Sequence, residues 1–158
     1  LSGCDLSHIT LNSSRSKKYE FRNLSLTLSD LTSASFIGCQ FKVGVNFKES
    51  MMFRTQFFKS NFSCMKRYTI DEPTEHVHVY FDGTQLIGSD FSETSLCDIS
   101  FNGADLSYAN FTRATLSGRI DFEGTNLASA DFTNLWLQTP ILMTIVNANM
   151  AGVRYSGE

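Results

Sequence analysis

Two histidines, His76 and His78, stand two residues apart in SCMKRYTIDEPTEHVHV, residues 63–79. In an extended chain that spacing turns both imidazoles to one side, and a tetrahedral zinc ion would need two more ligands beside them. Cys64, Asp71, Glu72 and Glu75 lie close in sequence, yet at none of the spacings by which zinc ligands are recognised. The segment therefore reads as polar residues flanking the entry to a strand, with no metal and no cofactor expected. Cys4, Cys39, Cys64 and Cys97 show neither CxxC spacing nor the density of a disulfide scaffold, and they read as reduced thiols. Carboxylates are numerous, but Asp90, Asp105 and Asp131 recur at one place in a repeating pattern. Pairs of them arise from the repeat, not from a desolvated pocket that would set an acid against a base. With no nucleophile elbow, glycine-rich phosphate loop or HExxH, the chain carries no catalytic constellation and is expected not to be an enzyme.

The elements that position these side chains follow from the apolar residues. In FNGADLSYANFTRATLSGRIDFEGTNLASADF, residues 101–132, Phe or Leu stands at 101, 106, 111, 116, 122, 127 and 132. A straight strand would turn positions five apart to opposite faces, and a helix would rotate them by about 140°. Neither buries the set. A chain that turns a corner once per five residues does, each pentad giving one inward side chain to one wall of a tube. The centres extend back to Leu1, Leu6 and Leu11 and from Phe21 to Phe62, with only Ser16 out of pattern, and resume after residues 63–79. The predicted inner ladder is Phe81, Leu86, Phe91, Leu96, Phe101, Leu106, Phe111, Leu116, Phe122, Leu127 and Phe132. Two centres come one residue late, at 41 to 47 and at 116 to 122, and Gly44 and Gly118 fall in those intervals, as expected for corner bulges. Small or β-branched residues two places before each centre fit a second, tighter inward position. Asp or Asn one place before it could bond the corner backbone.

GADLS, YANFT, RATLS and SADFT resemble the A(D/N)LXX signature of pentapeptide-repeat proteins, and the likeness extends over most of residues 1–137. The resemblance implies an all-β fold, a right-handed quadrilateral β-helix with four pentads per coil. Coils of 20 or 21 residues would then set Phe81 under Phe101 and Phe122, Leu86 under Leu106 and Leu127, and Phe91 under Phe111 and Phe132. A single domain, residues 1–158, is expected to carry a loop insertion at 63–79 and a C-terminal capping segment at 135–146, LWLQTPILMTIV. That segment is either a short helix after Pro140 or an excursion from a tube that continues at Met150 and Tyr155.

No run reaches the roughly 18 apolar residues of a membrane span, so a chain without one, free in solution, is expected. It starts at Leu1 in mid-repeat, which reads as a piece of a longer protein. Charge is uneven. Residues 1–67 hold ten basic side chains against four acidic, and residues 68–158 three against twelve; in a solenoid, sequence order becomes height, so one end would be basic and the other acidic. The Phe-rich, degenerate repeats resemble those of effectors that bacterial pathogens inject into host cells. LWLQTPIL resembles the segment after the β-helix in secreted effectors that act as HECT-like ubiquitin ligases, whose catalytic cysteine would fall beyond Glu158. These likenesses imply a non-enzymatic protein-binding scaffold, secreted into a host cell and recognising a host protein if it is an effector and cytoplasmic otherwise, with no nucleic acid partner. Loops that project from a solenoid carry specificity, so Lys66, Arg67, Tyr68, Asp71, Glu72, His76 and His78 are the expected partner-binding residues. The oligomeric state is left open. The alternative is a DNA-mimicking, gyrase-binding member of the family, which implies an acidic dimeric rod, whereas the first half here is basic.

Overall fold

The computed structural model of the chain describes residues 1–14, 16–42, 44–62 and 79–156. They form a four-walled β-solenoid of about six turns, with no helix among the described residues. The strands are short: β1 Glu20–Phe21, β2 Gln40–Phe41, β3 Val45–Asn46, β4 Asn61–Phe62, β5 Val79–Tyr80, β6 Ser95–Ser100, β7 Thr115–Asp121, β8 Asp131–Thr133, β9 Trp136–Thr144 and β10 Arg154–Ser156. Every pairing between them is parallel. Isolated parallel bridges continue the same ladders elsewhere, as in Asp5, Asp30, Met51, Gln85, Asp105, Asn126 and Asn149.

The pentad folds this way because each of its positions has one job. The centre points inward, and its carbonyl accepts the amide three residues on, as Leu106 does from Ala109 at 3.0 Å and Phe101 from Ala104 at 2.9 Å. That bond closes a turn whose second central residue has positive φ, such as Gly103 at 64° and Tyr108 at 58°, the sense of a type II turn. The residue before the centre bonds the corner from its side chain. Asp5, Asp30, Asp90, Asp105 and Asp131 each accept the amide two residues on through Oδ1, at 2.9–3.0 Å. At Asp5 the amide of Ser7 holds the carboxyl below its ordinary pKa. The corner-bonding role expected for this position is therefore what the structure shows.

Two residues before the centre, the side chain is buried against the previous coil, which explains why it is small. Hydroxyls here donate to a backbone carbonyl of that coil in several cases, Thr55 to Leu31 at 2.9 Å, Thr94 to Phe57 at 3.0 Å and Thr125 to Phe101 at 2.8 Å, while Thr84 donates within its own coil to Phe81. Cys39 occupies the same position and points its Sγ at the Leu11 carbonyl, 2.7 Å away. Burial pushes the Cys39 thiol pKa up. Thr125→Val keeps the shape and removes the donor, so we expect a loss of about 1 kcal/mol in urea unfolding, with the fold intact.

The centres form four columns. Leu6, Leu31, Met52, Leu86, Leu106, Leu127 and Met150 line the first wall, and Leu11, Phe36, Phe57, Phe91, Phe111, Phe132 and Tyr155 the second. Phe21, Phe41, Phe62, Leu96, Leu116 and Leu137 line the third, and Leu26, Phe47, Phe81, Phe101, Phe122 and Ile145 the fourth. Like stacks on like as the spacing predicted. Phe81 and Phe101 have centroids 5.1 Å apart, Phe101 and Phe122 5.3 Å, Phe91 and Phe111 5.0 Å, Phe111 and Phe132 4.7 Å, all nearly parallel. Across the tube the rings meet edge to face, as Phe91 does Phe101 at 86°. Both arrangements suit the ring quadrupole. Every member of the predicted ladder is buried.

Residues beyond the pentad leave at corners. Ser14–Lys17 closes a small turn between the second and third walls, so the Ser16 irregularity is an extra excursion and not a degenerate repeat. All later additions lie between the third and fourth walls: Phe41 to Phe47, Phe62 to Phe81, Leu116 to Phe122, and Leu137 to Ile145. Here β6, β7 and β9 run through the corner as continuous strands, with register shifts at Cys97–Ile99 and Ser117–Gly118. Gly44 and Gly118, with φ of 78° and 64°, sit in two of these intervals, as expected. Residues 135–146 do not form the short helix considered after Pro140. Trp136–Thr144 is β9, paired with β7, because its β-branched and aromatic residues continue the parallel ladder through a bulge. The tube goes on to Asn149 and β10, which pair with Asn126 and β8.

Candidate protein-binding surfaces

The inside of the tube is filled by side chains, so any chemistry must be presented outside. Of the expected partner-binding residues, Lys66, Arg67, Tyr68, Asp71, Glu72, His76 and His78 all lie outside the described residues, as does Cys64. Val79, taken with the insertion from sequence, belongs instead to the fourth-wall corner: it is buried, pairs with Val45 and Ile99, and opens β5. Among the described residues no three of His, Cys, Asp and Glu come together in a way that would hold a metal ion. Cys97 is disulfide-bonded, which corrects the reading of all four cysteines as reduced; Cys4 and Cys39 are free. Spacing along the chain carries no signal for a thiol pair brought together by a tertiary fold, since what a disulfide requires is proximity in space.

The carboxylates are committed to the scaffold. Besides capping corners they join vertical ladders: Asn126 donates to Asp105 at 3.1 Å, Asn149 to Asn126 at 2.9 Å and Asn110 to Asp90 at 3.2 Å. Others pair with cations of neighbouring coils, Lys48 with Asp82 at 2.8 Å, Lys59 with Glu93 at 3.4 Å and Arg154 with Asp131 at 2.6 Å. Such partly exposed pairs add little stability, but they fix which charge faces where.

Because the ladders keep sequence order along the axis, the basic first half and acidic second half are separated in height. Where the two halves meet, the second wall is bounded by two corners that carry apolar groups on the outside. On one corner Gly38 bonds the Phe58 carbonyl, stacking Ile37 on Phe58; on the other Arg54 bonds the Ile87 carbonyl, stacking Phe53 on Ile87. All four apolar side chains are half-buried, and exposed Arg54 and Lys59 stand beside the two phenylalanines. Lys59 Nζ lies 4.6 Å from the Phe58 ring centre. Phe beside Arg, as at Phe53 and Arg54, has the composition of a protein-binding surface. The sequence pattern hid it, because Phe53 and Phe58 directly follow the centres Met52 and Phe57 and look like part of the core run.

The last described coil forms a second exposed region. Leu137, Met143, Ile145, Met150 and Tyr155 surround an apolar cavity of about 240 Å³ closed on its inner side by Leu116, Phe122, Leu127 and Phe132. The apolar excess of LWLQTPILMTIV signalled this region in sequence, where it was assigned to a cap.

Residues 80–118 match the family model for pentapeptide repeats, with eight copies. No curated protein sequence matches the chain significantly. Among solved structures, the chain is similar to the pentapeptide-repeat protein Rfr23 of the cyanobacterium Cyanothece 51142, at 15% identity over 98% of this chain and 86% of that one, with a TM-score of 0.45. It is also similar to full-length QnrB1, a plasmid-mediated fluoroquinolone resistance protein, at 18% identity over 99% and 81% of the two chains, with a TM-score of 0.46.

Proposed function

The chain carries pentapeptide repeats that match the family model over residues 80–118, and from that premise we propose that it is a non-enzymatic scaffold that binds a protein partner on its outer surface. The observation that carries this reading is the filled interior combined with outward carboxylates already engaged by corner amides and neighbouring cations. Such a rod offers recognition and nothing to transform. Its described recognition surface is the second wall between Phe58 and Phe53, with Arg54 and Lys59 favouring an acidic partner by charge complementarity; the insertion expected at 63–79 is proposed as a separate partner-binding segment. In the finer form of this reading the partner is a host protein and the chain is the recognition module of a secreted bacterial effector. The Phe-rich repeats support it, and a substrate-recognition role ahead of a catalytic domain would follow from the same likeness.

Capture of proteins from host-cell lysate on the immobilised chain tests the proposal. Phe53→Ser with Phe58→Ser, and separately a Gly-Ser replacement of residues 64–77, are each expected to weaken capture of the same partner at least about tenfold while the melting transition is retained. Capture indifferent to both sets of changes overturns the reading. Recovery of DNA gyrase, competed away by duplex DNA, would favour the DNA-mimicking alternative instead.

A further inference from the structure

We propose that the corner between the first and second walls binds an extended segment of the partner protein in which an Asp or Glu stands two residues from an aromatic or aliphatic side chain. The inference rests on the scaffold reading and names what that surface recognises. On this corner the Arg54 amide bonds the Ile87 carbonyl at 3.0 Å, the Gly88 amide the Ser107 carbonyl at 2.9 Å and the Tyr108 amide the Ala128 carbonyl at 2.9 Å. Arg54, Gly88 and Tyr108 therefore occupy one position in successive coils. Gly88 has no side chain, so it leaves a notch between a cation and an aromatic ring. A Cβ built there would meet Arg54 Cγ at 3.7 Å and nothing else within 4 Å, so the Arg54 stem leans against the notch. The surface beside it is apolar, with half-buried Phe53 and Ile87 on the corner and exposed Met51 on the first wall. Tyr108 is 69% exposed, and its side chain has no hydrogen-bond or ring partner among the described residues.

Charge selects the occupant. On the corner between the second and third walls, Lys59 and Arg113 both face Glu93, at 3.4 and 4.0 Å, and are neutralised there. Arg54 is exposed and has no carboxylate partner among the described residues. Asp90, on the adjoining wall, is held by Ser92 and Asn110. A guanidinium takes a carboxylate through two parallel hydrogen bonds, so one free Arg suits one acidic side chain. A nucleic acid brings a row of charges, which Asp90, Glu93 and Asp105 on the later coils repel. In an extended segment, side chains two residues apart share a face and lie about 7 Å apart. Coils about 4.8 Å apart put the backbones of Arg54 and Tyr108 roughly 10 Å apart, and the lean of the Arg54 stem shortens that span. A carboxylate bonded to Arg54 thus sets an apolar side chain over Gly88 and against the Tyr108 ring.

Panning a phage-displayed library of random peptides against the immobilised 158-residue chain tests the proposal. Enriched sequences are expected to carry Asp or Glu two residues from Phe, Tyr, Trp, Leu or Ile. For a synthetic peptide of the enriched sequence, Arg54→Gln and Tyr108→Ala are each expected to weaken binding at least about tenfold, as is replacement of the peptide's acid by its amide. Arg54→Lys is expected to recover part of the loss, because a point charge lacks the paired donors. Arg113→Gln, on the other corner, is expected to change binding less than about twofold. All three positions are exposed, and circular dichroism checks that each variant is folded. Absence of enrichment, enriched sequences without an acid, or tighter binding of a single-stranded oligonucleotide that is lost in Tyr108→Ala overturns the proposal. A peptide that needs Phe53 and Phe58 but ignores Arg54 and Tyr108 overturns it while the scaffold reading stands; that reading falls instead with lysate capture indifferent to both of its own sets of changes.

Discussion

Phe101→Asp is expected to remove the cooperative unfolding transition altogether. Phe101 is fully buried, lies between Phe81 and Phe122 at 5.1 and 5.3 Å, and meets Phe91 and Phe111 edge to face. Truncating such a ring costs about 3–5 kcal/mol. The carboxylate adds several more, because the fourth-wall column offers no cation and no donor inside the tube, and a protonated acid still buries unpaired oxygens. The total reaches the 5–15 kcal/mol that holds an ordinary domain together. Circular dichroism against urea reads the loss directly. Phe101→Leu separates charge from volume: leucine occupies the neighbouring columns without strain, so this variant should lose only about 1–2 kcal/mol and keep a sharp transition. If the Asp variant melts like the Leu variant, the aligned aromatic column does not hold the coils together.

Gly44→Val is expected to cost about 3 kcal/mol, more than the backbone conformation alone explains. Gly44 has φ of 78°, and a Cβ there would lie 2.4 Å from Asn23 Oδ1 and 3.2 Å from Asn23 Cα. The amide can swing aside, but the backbone of the coil below cannot move without breaking its ladder. Gly103 is the control. Its φ is 64° and a Cβ would meet nothing within 4 Å, so Gly103→Ala should cost only about 1 kcal/mol. Non-glycine residues such as Arg54, Lys59 and Tyr108 already hold φ of 53–58° at corners, which shows that positive φ alone is tolerated. Unfolding midpoints in urea for the two variants decide between strain and contact. Equal losses would mean that the close approach to Asn23 is unimportant.

Most of the tube was legible because its physics is periodic. Phe81, Phe101 and Phe122 could be aligned from spacing alone, since a filled interior admits only side chains that stack, and the Asp before each centre announced its corner bond. Legibility ended where the period did. From Leu137 to Ile145 the interval is too long for a pentad, so the spacing left a capping helix and an excursion from a continuing tube as alternatives, and the ladders at Asn149 and Tyr155 follow the second. Phe53 and Phe58 were lost for the opposite reason: an outward aromatic next to an inward one is indistinguishable in a one-dimensional pattern. The Cys97 disulfide left no trace either, because nothing in local spacing records which thiols the coils bring near. The expected partner-binding residues from Lys66 to His78 belong to a segment outside the described residues, and among the described residues the candidate surface is the second wall.

One feature of the winding bears on how such a molecule acquires new specificity. Past Phe21, every departure from the five-residue rule falls between the third and fourth walls, leaving the other three corners uniform. That edge works as a mounting rail: a segment grafted there changes what is displayed without shifting the register of the coils on either side. Its height on the rod is then set by the number of turns that precede it. Recognition elements could therefore be exchanged, lengthened or duplicated along a single line while the prism beneath them stays the same.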